Sequence, residues 1–498
     1  MAISNPYSVS LLALGFLLAS LRPAIAQPRS QILPRSEPSE FHCGGPVEQR
    51  VWRLWDGGTK AAIDQRLIRE RLLSTGDTYA LYDLQMVLGN LVAMADRCQR
   101  FNRLVEIADL LLPAFGVLET LPPPNEHHAG WVCRGGSLCT VANKRLGREV
   151  LLVSLQGLGL FTDLAARLAS QPSPYLQRHP FVLKTASAAH SHLDRMATPD
   201  LLNSLQRRLT ATPADVKGNS SALLFTSFDI WRYTIAINTA ALPTGTWRPS
   251  PAVKAMVLNT ANLFRKRSML NGRPPARRAS IDAGFWAKRI DHAYAGYQGS
   301  RSPVVCVEKN GQRIPVPRNP PIPPQPVANM GWDISHSRRL VPLFDAVNRV
   351  GNRALQMYDI DSEVLADRSL QAAYANQLAK VIWNQDFEKP LFSNYWSGAN
   401  GWYRVAYDPG NGSCRLGNPP FGLSSAFAQG GFIAWGKLDV LIHRLGAQLY
   451  LNMSQDLPEN VDWLQRYYPQ LAVGDSELGI KQVGKLQFLS SLITSASR

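Results

Sequence analysis

Apolar residues recur at helical spacing along most of the chain, and alternation at a period of two is almost absent. The clearest run is Leu81, Leu84, Leu88, Leu91, Val92 and Ala95, with Asp77 as the candidate N-cap. It resumes through Phe101, Val105, Ala108 and Leu112 and stops at Pro113. Residues 47–73 read as two helical pieces divided at Gly57-Gly58, and 141–170 as one long helix carrying Leu146, Val150, Val153, Leu160 and Leu164. Further helices fit 174–196, 199–210, 221–242, 251–268, 365–383, 424–450 and 459–469, the last leading to a weakly patterned tail. His190 and Asp194 stand four residues apart, close enough to pair across one turn.

This pattern predicts a mainly α protein. Long helices joined by short or medium connections suggest antiparallel hairpins, and no fixed-period repeat is present. An (α/α) toroid of helical hairpins fits best, with an irregular α-solenoid as the alternative. The predicted organisation has a signal peptide at 1–26, a poorly ordered lead-in at 27–46, and a first helical-hairpin part at 47–300. A Pro-rich loop or linker follows at 301–328, and a second helical-hairpin part at 329–498. The loop holds eight prolines from Pro303 to Pro326 and shows no helical period.

Composition changes the picture in two ways. The formal net charge is +16 over 498 residues, which favours polyanionic partners. The apolar run Leu11–Leu21, followed by Ala24-Ile25-Ala26, reads as a signal peptide cleaved after Ala26. Its removal deletes Arg22 and no acid, taking +16 to +15. A secreted or periplasmic location makes nucleic acid a poor partner and acidic polysaccharide a better one. Peripheral association with the envelope is also compatible with the charge. Six cysteines suit an oxidising compartment, and a short bridge between Cys133 and Cys139 is predicted. No CxxC pair, HExxH, P-loop or GxGxxG is present, so neither a metal nor a cofactor is implied. Arg265, Lys266, Arg267, Arg273, Arg277 and Arg278 form the densest basic cluster.

Three segments concentrate ionisable and aromatic side chains. In residues 329–345, Asp333 reads as an N-cap, which puts His336 in the first helical turn beside Arg338 and Arg339. Unpaired N–H groups at a helix start attract anions and favour neutral imidazole, which can act as a base. Capping alone would also explain Asp333. Pro342 predicts a kink or restart just downstream. The second segment, 393–408, holds Asn394, Tyr395, Trp396, Asn400, Trp402, Tyr403 and Arg404, suited to sugar stacking or to an aromatic core corner. The third, 281–297, contributes Trp286, His292 and Tyr294.

The Asp-x-Ser-His helix start, the Asn-Tyr-Trp…Asn-Gly-Trp-Tyr loop and the closing Gly-rich helix resemble α/α-toroid proteins that act on uronic-acid polysaccharides, over roughly residues 220–450. Alginate- and heparin-lyase-like proteins and the toroid domain of glucuronyl epimerases are of that kind. The resemblance implies abstraction of the proton beside a uronate carboxylate, with His336 and Tyr395 as base or acid candidates; Asp333, next to His336, is the third catalytic candidate. It puts Asn394, Asn400, Arg338 and Arg404 on the carboxylate side. Arg339, Trp396, Trp402, Tyr403, Trp286, His292 and Tyr294 complete the expected binding surface. Two alternatives stand beside it. One is a glycoside hydrolase drawing a carboxylate pair from Asp282, Asp291, Asp333 and Asp408. The other is a non-catalytic protein that binds glycan or the envelope.

Overall fold

A computed structural model describes residues 40–495, apart from 124, 219–221, 286–291, 326, 329, 408–412, 456 and 475–476. Helix accounts for 57% of the described residues and strand for 10%, the strands lying in small two- or three-stranded sheets, so the fold class is mainly α. Residues from Glu40 onward make one compact unit, and one apolar core runs through it from Phe41 to Ile493. The predicted signal peptide lies outside the described residues. The end of the predicted lead-in does not hang free. Phe41 is buried, Cys43 is bonded to Cys98, and a helix already starts at Pro46.

The helix order explains how the core is shared. Tyr79–Arg97 packs on Leu151–Ala169, which packs on Ser227–Thr239, which packs on Leu340–Tyr358. The last helix, Val483–Ser495, lies against Tyr79–Arg97. The first three helices of this series also have a second partner each: Phe101–Leu111, Pro180–Met196 and Pro251–Arg267 in turn. Leu151–Ala169 is long and apolar enough to cross a membrane, but Val153 to Leu168 are all buried within the protein. An all-round apolar helix is what a core position demands. Inside this series Arg167 donates to Asp96 (2.6 Å), Asp163 (3.2 Å) and Asp345, joining three helices through one guanidinium.

Local chemistry sets the element ends. The split at Gly57-Gly58 is present, with Gly58 at φ 122°. Ser227–Thr239 starts with a capping box between Thr226 and Asp229, and Pro199–Thr210 matches its predicted span. Pro342 falls in the first turn of Leu340–Tyr358, where its missing N–H costs nothing, and the preceding helix Ile334–Ser337 is separate. The expected restart is therefore real.

Four expectations fail. The 141–170 helix begins only at Leu151, because Arg148–Glu149 pairs with Val132–Cys133 as a strand. The 424–450 helix is broken into Ser425–Gln429, a 3-10 turn Phe432–Lys437 and Val440–Ser454, with Gly431 in the left-handed region at φ 79°. The weakly patterned tail is the buried helix Val483–Ser495. His190 and Asp194 do not pair with each other. Trp247 lies between them, stacked on His190 at 4.0 Å and donating its indole N–H to Asp194 (2.9 Å).

All six cysteines are bonded, as Cys43–Cys98, Cys133–Cys139 and Cys306–Cys414. Three such pairs are compatible with an oxidising environment. The Pro-rich segment holds a hairpin, Val304–Lys309 with Gln312–Pro317, and the Cys306–Cys414 bond ties it to the residue before Arg415–Asn418, the strand that pairs with Tyr403–Tyr407.

Candidate functional site

The three ionisable and aromatic segments meet. Ile334 N–H donates to Asn394 O (2.9 Å), and Trp396 N–H donates to Trp332 O (2.7 Å). Asp333 and Tyr395 thereby face each other across an antiparallel bridge. The third segment joins through Gly284 N–H to Met330 O (2.9 Å) and through His292, whose ring stands edge-on to Tyr395 at 5.5 Å. Gly401 permits this closure, since a Cβ there would sit 1.6 Å from Ala295 O. Gly417 does the same beside Arg404, whose backbone turns to φ 53° at an irregular point in the Tyr403–Tyr407 strand.

At the meeting point one carboxylate organises a histidine. Asp333 caps its helix by accepting from His336 N–H through Oδ1 (3.1 Å), and the Ser335 hydroxyl donates to the same oxygen. The other oxygen, Oδ2, accepts from His336 Nδ1 at 2.7 Å. That contact assigns the ring proton to Nδ1 and leaves Nε2 as the lone-pair nitrogen. Among the described residues nothing hydrogen-bonds Nε2, and the side chain keeps 32% of its exposure. Burial pulls the His336 pKa down. The Asp333 charge opposes this, and Arg339 and Arg404 add to the lowering, so the net value is below the ordinary 6.5. For Asp333 burial acts upward, but His336 and its hydrogen bonds outweigh it and hold the carboxyl well below the usual range. At neutral pH the pair is carboxylate plus neutral imidazole, the state of a general base.

The wall beside this pair is cationic. Arg339 is buried and donates through Nη1 to Ser227 Oγ, while its Nε has no partner. No carboxylate of the described residues lies within ion-pair distance of it. Burial and the neighbouring Arg338 push its pKa down to about 10. Arg338 is half-buried and reaches the Tyr82 hydroxyl (3.3 Å). The Arg404 guanidinium lies over the rings of Tyr403 (5.1 Å) and Tyr407 (5.3 Å).

Several predicted site residues prove to be the loop's own framework. Tyr395 is fully buried and its hydroxyl donates to Trp402 O (3.0 Å), which removes it from contact with any solvent-borne molecule. Asn394, also buried, gives its amide to Gly401 O (2.9 Å) and Pro419 O (2.8 Å) and accepts from Leu423 N–H (2.9 Å). Asn400 accepts from Phe421 N–H (2.8 Å). Trp396 and Trp402 are buried, their indoles bonded to Ala279 O and Gly299 O. Tyr294 donates to Ile322 O (3.3 Å), fastening the Pro-rich segment. His292 and Tyr403 are buried beside Tyr395. Trp286 lies outside the described residues, as do Asp291 and Asp408.

Tyr82 and Ser227 were missed. Both lie near the start of helices whose apolar positions dominated the reading, and the polar residues between those positions are what face the arginines. No family model matches the chain, and comparison with curated proteins and with solved structures found no match.

Proposed function

We propose that this is an exported polysaccharide lyase acting on an acidic, uronate-containing glycan. The observation that carries the reading is the Asp333–His336 contact of 2.7 Å, with Nε2 open beside an arginine lacking a counter-ion. A buried guanidinium without a counter-ion is costly, by about several kcal/mol. A bound carboxylate offsets that cost and places the acidic C–H beside Nε2.

In the elimination, His336 Nε2 takes the C5 proton while Arg339, with Arg338 and Arg404, stabilises charge developing on the carboxylate. The C5 electrons form the C4=C5 bond, and the C4–O bond breaks. The departing oxygen takes a proton from Tyr82, the half-buried phenol on this face, in the role expected of Tyr395. Asp333 holds the imidazole and stabilises its protonated form.

The helix packing supports an (α/α) toroid. Tyr79–Arg97, Leu151–Ala169, Ser227–Thr239 and Leu340–Tyr358 pack in series, the first three each with a flanking helix, and Val483–Ser495 packs on the other side of the series against Tyr79–Arg97. The disulfides support export. A hydrolase reading is weaker, since among the described acids Asp282 is fully buried and Asp333 is committed to His336. The test is a panel of acidic and neutral polysaccharides assayed for unsaturated ends by near-ultraviolet absorbance and for reducing ends. Unsaturated ends from uronate polymers alone support the reading. Reducing ends without unsaturation, or no turnover of any polymer, contradict it.

A further inference from the structure

The basic run at 265–278 plays no part in the candidate site. It contains six cations and no acid. The chain leaves the Pro251–Arg267 helix and turns through a hairpin, Ser268–Asn271 with Arg278–Ile281. Arg267 is turned inward and bonds Arg208 O (3.0 Å), and Arg265 and Lys266 bond the carbonyls of Leu365 and Leu209. The guanidinium groups of Arg273, Arg277 and Arg278 make neither a hydrogen bond nor an ion pair among the described residues. The nearby loop supplies Asp361, Glu363 and Asp367, but none pairs with these cations, and Asp367 caps the Arg368–Gln377 helix through Leu370 N–H (2.8 Å).

The same hairpin exposes two adjacent apolar side chains, Met269 at 43% and Leu270 at 51%, while Ser268, Ala279 and Ile281 are buried. It is held in place: Asn376 Nδ2 donates to Pro275 O and Arg277 O, both at 2.8 Å. One exposed apolar residue is ordinary. Two together on a clamped hairpin, among uncompensated arginines, have the composition of an interfacial anchor. Apolar side chains enter the headgroup boundary and guanidinium groups take lipid phosphates. A soluble polyanion would use the cations but leave Met269 and Leu270 in water. We infer that this hairpin docks the protein onto an anionic lipid surface.

The test is sedimentation of the full chain with vesicles of phosphatidylglycerol and phosphatidylcholine, against phosphatidylcholine alone. Two double variants are compared, Met269→Ser with Leu270→Ser, and Arg273→Glu with Arg277→Glu. All four positions are surface-exposed or half-exposed, and circular dichroism checks their folding. Binding should require the anionic lipid, and each double variant should weaken it about tenfold or more. Loss in the arginine variant with full binding in the Met/Leu variant would mean polyanion binding only and would overturn the proposal. Wild-type binding by both variants would place vesicle affinity elsewhere in the chain and overturn it too. The readout needs no substrate, so it stands or falls separately from the lyase reading.

Discussion

At position 333 a single carboxylate receives three donors: a backbone N–H, a serine hydroxyl and an imidazole N–H. Capping the helix and holding the imidazole are thus done by one carboxylate. The consequence for pH follows from the direction of the His336 shift. A base whose pKa lies below 6.5 is lost only on the acid side, so kcat/KM on the glycan should rise with pH through a limb below 6.5 and then level. Asp333→Asn keeps a capping oxygen but removes the charge that raises the histidine pKa. Turnover should fall by about 100-fold or more, and the acid limb should move to lower pH. A limb that stays in place in the variant would show that Asp333 does not set the base. The sequence made His336 and Asp333 legible through the D-x-S-H spacing. It could not reveal that Asn394 and Tyr395 spend their polar groups on the loop's own carbonyls, since a loop tied to itself and a loop reaching for sugar use the same residue types.

Among elements, the turn after the Ser268–Asn271/Arg278–Ile281 hairpin carries an acid whose pKa burial raises strongly. Asp282 is fully buried at φ 49°, accepts from Phe225 N–H (3.1 Å), and has Arg267 Nε at 3.9 Å. Burial pushes its pKa from 3.8 to about 8, against the pull of Arg267. The folded state therefore holds this proton more tightly than the unfolded chain. The stability so gained is complete below 3.8 and is lost as pH rises through about 8, at up to about 1.4 kcal/mol per pH unit. Asp282→Asn keeps the acceptor, tolerates the positive φ and removes the titration. Denaturant midpoints from pH 5 to 8 should decline in the wild type and flatten in the variant; equal slopes would remove Asp282 as the cause. At this scale the sequence was readable where caps and prolines are local, as at Pro199–Thr210. It was unreadable at 424–450, where Asn90 and Val341 crowd Gly431 from distant helices.

For the whole molecule, the helical class followed from periodicity, but which helix closes the core did not. Val483–Ser495 reads as a poor helix because a segment buried on all sides has no polar face to set a period. Its hydroxyls disguise it further and are satisfied within the helix: Ser490 donates to Leu486 O (2.7 Å) and Thr494 to Ser491 O (2.6 Å). Its packing on Tyr79–Arg97 helps hold the helix that presents Tyr82 toward the arginines. Residues 333–339 supply the imidazole, its carboxylate partner and the guanidinium without a counter-ion, the fold brings Tyr82 and Ser227 to them from helices more than a hundred residues away, and the proposal that these groups act together is central. The most direct measurement is unsaturated-end formation from a uronate polymer by wild type and by His336→Ala, with circular dichroism and thermal melting on both. The variant should keep its fold and lose the unsaturated product, whereas a folded His336→Ala protein that forms it at the wild-type rate would show that His336 is not the base.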